Sequence, residues 1–166
     1  MIFCHRYPIT MIHPAEYMHL ATVVRNEIVR LRGSDQNRLE EMAQEMLARR
    51  LGWYSEYQSL LKTDKKDVLN SAYQLFLNKL GITAADAPVV SRDEKILVLH
   101  SRNFCPTLEA CKILNLDTRF VCRHLSEIPT TALLRRYHPK LRFTRNYDKL
   151  RPYTPYCEEM IILDES

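Results

Sequence analysis

Four of the five cysteines in this 166-residue chain lie in its second half, at Cys105, Cys111, Cys122 and Cys157. Cys105 directly precedes Pro106, and proline favours the first position of a helix. Cys105 is then the residue that caps the helix. Its sulfur faces unpaired backbone N–H groups and the positive end of the helix dipole. Both stabilise a thiolate, and Arg102, three residues earlier, adds a cation. A thiolate of lowered pKa is a nucleophile or a metal ligand. The competing reading is a partly buried thiol used as a small apolar side chain.

Cys122 sits in Arg119-Phe120-Val121-Cys122-Arg123-His124, where two arginines and a histidine suit a thiolate or an anion site. It reads equally as a core thiol beside Phe120 and Val121, flanked by solvated arginines. Cys111 shares a helical stripe with Leu108 and Leu114, the pattern of a core thiol. Cys157 precedes Glu158 and Glu159 on an extended segment. Strand alternation puts Cys157, Glu159 and Ile161 on one face, with Glu158 on the other. A glutamate near a thiol can serve as general acid or base.

No metal is expected as the first reading. The alternative is an iron–sulfur cluster or zinc held by Cys105, Cys111, Cys122 and Cys157, with His100 or His124 joining. Their spacing lacks the paired C-x2–4-C pattern of zinc ribbons, so only the fold can assemble such a site. Residues 118–151 also carry Arg119, Arg123, Arg135, Arg136, Lys140, Arg142, Arg145, Lys149 and Arg151, interleaved with Tyr137, Phe143 and Tyr147. Some can clamp a carboxylate or phosphate, or stack on nucleic acid; a solvated surface accounts for most. Arg145 differs, because it alternates with Phe143 and Tyr147 and so points inward with them. A buried arginine needs an anion, either Glu159 or a ligand.

The elements that must hold these groups divide the chain. In residues 1–83, Pro14 opens a helix whose face is Tyr17, Leu20, Ala21, Val24, Ile28 and Leu31, and Gly33 stops it. Ser34 or Asp35 caps a second helix, which Gly52 bends or breaks. Thr63 or Asp64 caps a third, ended by Gly81. Residues 84–166 form a mixed part. A strand is expected over 95–100, helices over 105–116, 118–125 and 129–137, and a terminal β-hairpin from 141–147 and 157–163. The fold class is therefore α+β, a helical bundle followed by a mixed part ending in a hairpin, read together as one domain.

Composition narrows the function. The chain has 3 glycines, none after Gly81, which excludes the glycine-rich phosphate loops of nucleotide-binding folds. A net charge of +4 and a pI near 8.8 fall short of a dedicated nucleic-acid-binding domain. Nothing approaches the roughly 18 apolar residues of a membrane span. Residues 1–6 lack a basic region followed by an apolar core, so the expected location is cytoplasmic, with cysteines reduced.

The run Cys105-Pro106-Thr107-Leu108-Glu109-Ala110, then Cys122, then Pro139-Lys140-Leu141-Arg142-Phe143-Thr144-Arg145, then Cys157, resembles the L-2-amino-thiazoline-4-carboxylic acid hydrolase-like family over residues 100–163. The chain departs from that pattern where Arg123 and His124 follow the central Cys, and where no Gly precedes the last one. The ending is also similar to 4-vinyl-reductase-type small-ligand sensor domains. The first resemblance implies an α+β fold and cysteine-dependent hydrolysis of a C–N bond in a small carboxylate-bearing molecule. By that carry-over Cys105, Cys122, Arg145 and Cys157 would line the site. On the chemistry of the residues themselves, Cys105 or Cys122 would be the nucleophile and His124 or Glu159 the proton shuttle. Arg102, Arg119, Arg123, Arg145, Tyr147 and Cys157 would bind the substrate. A non-catalytic small-ligand or metal sensor is the second expectation, and nucleic-acid binding through 118–151 the third. The expected partner is a small anionic molecule; a homodimer through exposed Met18, Met42, Met46 or Trp53 is the other partner considered.

Overall fold

The computed structural model describes residues 14–61 and 64–165. Helix α1 (Pro14–Leu31) begins at a proline whose missing N–H costs nothing there, and it ends before Gly33 at φ +67°. Helix α2 (Gln36–Tyr57) is capped by Asp35, whose carboxylate accepts the Arg38 N–H. It continues unbroken through Gly52, against expectation. One glycine costs about 1 kcal/mol relative to alanine, too little to stop a helix anchored by buried Leu39, Met42 and Ala43. Helix α3 (Val68–Leu80) is capped by Asp67, not by Asp64; Thr63 lies outside the described residues. Asp64 instead closes a turn ahead of the helix by accepting the Lys66 N–H. Gly81, at φ +65°, supplies the left-handed stop.

Strands β1 (Val89–Arg92), β2 (Ile96–Ser101), β3 (Leu141–Arg145) and β4 (Cys157–Leu163) form one antiparallel sheet in the order β1-β2-β4-β3. The expected central strand and terminal hairpin are present. Strand β1 was not expected, because its four residues are all exposed and carry no alternation. Helices α4 (Pro106–Leu114), α5 (Thr118–Leu125) and α6 (Glu127–Tyr137) separate β2 from β3. The fold is α+β, with helices leading and a hairpin closing the chain. No helix of the described residues is long and apolar enough to cross a membrane.

The two parts of the chain are packed together. Helix α1 lies on α4, α2 on α5 and α6, and α3 on α6 and β4. One core joins α3, α6 and the sheet, with Phe76 stacked on Phe143 at 5.5 Å. A second joins Leu31, Leu39 and Met42 to Ala110, Cys111, Val121 and Leu125. Met42 is thus core rather than a dimer surface. Met46 and Trp53 are partly buried, and Met18 alone of the four is exposed.

Strand register explains where polar groups gather. On the helix-covered face, Leu97, Ile161 and Phe143 form a row across three strands, all buried. The next row is Leu99, Glu159 and Arg145, and the next is Ser101 and Cys157. An apolar floor therefore turns polar at one end within two rows. The period-2 alternation keeps every one of these side chains on the same face.

Candidate functional site

A cavity of about 250 Å³ opens where the polar end of the sheet meets α2 and the ends of α4 and α5. It lies between the two cores. Met46 and Arg50 come from α2, Cys105 from the start of α4, and Cys122 and Leu125 from α5, with Ser126 following. Arg145, Cys157, Glu159, Ser101 and Arg151 complete the polar lining.

Arg145 and Glu159 are directly opposed in register and form an ion pair at 2.9 Å, with side chains 12% and 7% exposed. Glu159 also accepts the Ser101 hydroxyl at 2.5 Å, and Arg145 donates to Ser126 Oγ at 2.7 Å. Burial opposes the Arg145 charge, but Glu159 and the surrounding Cys122, Tyr147 and Cys157 outweigh it and hold the guanidinium above its ordinary pKa. Glu159 is thereby the anion that the inward-pointing Arg145 requires. With both its oxygens engaged, it is a structural counter-ion rather than a free base.

The thiols depart from the expectation of a lowered pKa. Cys105 does cap α4, with Pro106 at the first helical position, but no well-formed capping hydrogen bond reaches its sulfur, and the Leu108 N–H acts on it only weakly. Burial raises its pKa, although the Leu108 N–H and the charges of Arg151 and Arg145 pull the other way. Burial likewise pushes Cys122 up to about 12, against partial relief from Arg145. The field of a helix end contributes about 0.3–1 kcal/mol, whereas loss of water around a thiolate costs more. The Cys157 sulfur accepts the Arg151 Nε–H at 3.5 Å. Cys111 lies in the second core, where burial pushes it up to about 12.

Five other sequence candidates do not line the cavity. The ring of His124 tilts against Phe120 at 4.4 Å, with Nδ1 2.9 Å from the Phe120 carbonyl. Arg119 binds Asp117 and lies 4.0 Å from the Tyr153 ring. Arg123 covers the Tyr147 ring at 4.4 Å, while the Tyr147 hydroxyl donates to Glu127 at 2.5 Å. Arg102 is exposed beside Tyr156. The basic stretch is likewise dispersed, with Arg142 on Asp164 and Lys149 on Glu158. Among the described residues, no three of His, Cys, Asp and Glu converge as a metal site, so the four-cysteine alternative lacks its cluster.

Sequence reasoning passed over Arg50 as a site residue. It lies on the same α2 stripe as Met46 and Trp53, an arginine where an apolar residue is due, and that misplacement is its signal. Its guanidinium binds the Thr130 hydroxyl. Burial and the neighbouring Arg145 lower its pKa to about 10, against the attraction of Glu159, so it stays charged at neutral pH. Ser101 was legible as the last inward position of the alternation Leu97, Leu99, Ser101.

No protein-family model matches this chain, and no curated protein or solved structure was found to match it.

Proposed function

We propose that this chain binds a small carboxylate-bearing molecule in the cavity between its two cores. The observation that carries the reading is charge: three guanidiniums face the cavity and one carboxylate does. Guanidinium groups present paired N–H donors that match a carboxylate bidentately. The volume of about 250 Å³ is below the range of about 300–1,000 Å³ typical of drug-sized ligands, so the ligand is small.

Cysteine-dependent hydrolysis of a C–N bond, the activity implied by the family resemblance, is a second reading. It is favoured by the position of the Cys157 sulfur, which lines the cavity 3.5 Å from the Arg151 Nε. In that scheme the Cys157 sulfur bonds to the amidine carbon. The C–N bond breaks, and the leaving nitrogen takes the thiol proton. Water then cleaves the C–S bond and restores the thiol. His124 has no part in it, because it stands away from the cavity.

Calorimetric titration with L-2-amino-thiazoline-4-carboxylate and with simple carboxylates such as butyrate tests both. Binding without turnover supports the first reading alone. Release of a ring-opened product that disappears in Cys157→Ser supports the second. Absence of heat and of any thermal shift with every carboxylate overturns both.

A further inference from the structure

Resting on the reading of the cavity as a carboxylate site, we infer that its ligand is a dianion, a small dicarboxylate held by Arg50 at one wall and Arg151 at another. The argument starts from charge balance. Arg145 and Glu159 neutralise each other at 2.9 Å in a pair that is almost fully enclosed. Removing them from the count leaves Arg50 and Arg151. Neither has a carboxylate partner among the described residues: Arg50 binds the Thr130 hydroxyl, and Arg151 binds Cys157 Sγ and the Asn103 carbonyl. Both side chains are half-buried, and a bound anion supplies the counter-charge that no carboxylate gives them.

Position then separates a dicarboxylate from a single phosphate. Arg50 projects from α2, in the electrostatic reach of Arg145 and Glu159. Arg151 belongs to the segment joining β3 to β4 and stands beside Cys157 at the start of β4. Two cations on separate elements, both lining one small cavity, fit two acidic groups on one short skeleton. The half-buried Met46 and Pro106, with the buried Leu125 behind them, give that skeleton apolar contact in the same lining.

The test uses the full chain and four probes: succinate, glutarate, butyrate and inorganic phosphate. Titration calorimetry at constant ionic strength is expected to show one of the dicarboxylates binding at least tenfold more tightly than butyrate. Arg50→Met and Arg151→Met should each reduce that preference to under threefold, and Arg50→Lys should retain part of it. Circular dichroism and a thermal melt establish that each variant is folded, and Arg50→Lys keeps the test usable should Arg50→Met not fold. Butyrate binding as tightly as both dicarboxylates overturns the dianion inference while leaving the carboxylate site standing. Phosphate outcompeting both dicarboxylates also overturns it. Failure of all carboxylates, butyrate included, removes the underlying reading itself.

Discussion

Replacing Glu159 by glutamine removes one charge from the buried pair with almost no change in shape. Arg145 then remains 12% exposed with no carboxylate at 2.9 Å. Removing one partner of a buried ion pair costs about 3–5 kcal/mol, because the surviving charge is left uncompensated. Two features place Glu159→Gln at the lower end. Arg145 keeps its bond to Ser126, and it borders a cavity that water can enter. The expectation is therefore a loss of about 3 kcal/mol, which for a chain of this length is a fall in Tm on the order of 10 °C. Urea unfolding followed by circular dichroism measures the first quantity and a thermal melt the second. The double variant Arg145→Met, Glu159→Leu should cost less than Glu159→Gln, since an apolar pair of similar volume leaves no buried charge. A cost for Glu159→Gln below about 1 kcal/mol, or a double variant as damaging as the two singles added, would refute the account of Glu159 as the counter-ion that makes a buried Arg145 tolerable.

Stability should also fall in alkali. Cys122 and Cys111 are both raised from 9.0 to about 12 by burial. Above pH 9 the unfolded chain releases these protons while the folded chain keeps them, so stability is full below about 9 and declines up to about 12, by at most about 1.4 kcal/mol per pH unit per thiol. Cys122→Ala should flatten that decline in urea titrations from pH 8 to 11, and an unchanged slope would count against the burial of its thiol. At the other end of the chain, Asp67→Ala removes the cap of α3 and the partner of Arg92, and should cost about 0.5–2 kcal/mol in the same assay.

Local signals in the sequence carried most of the framework. Pro14, Gly33, Asp35 and Gly81 act at the helix ends where their backbone preferences place them. The alternation over 141–145 and 157–163 puts Arg145, Cys157 and Glu159 on one face, as the observed register has them. What local pattern does not carry is the environment. The Cys105-Pro106 pair correctly marks a helix start, yet the chemistry of its thiol depends on how much water the fold leaves around it. His124 and Arg123 are neighbours of Cys122 along the chain but leave its vicinity, because successive positions on a helix point about 100° apart. Arg50 enters the site from 55 residues before Cys105, a distance that no motif spans. Strand β1 is set by pairing with β2 rather than by its own composition.

The rows on the sheet face have one further consequence. Leu97, Ile161 and Phe143 lock the strands in register, and a slip of one residue in any of the three would turn its member of the row toward the opposite side. The positions that follow, Ser101, Cys157, Glu159 and Arg145, are therefore held to fixed coordinates by residues that do not line the cavity. Anchoring and cavity lining reside in separate side chains of the same strands. The polar end can accept new side chains, provided that its charges still cancel, while the backbone beneath it stays where the apolar row has set it.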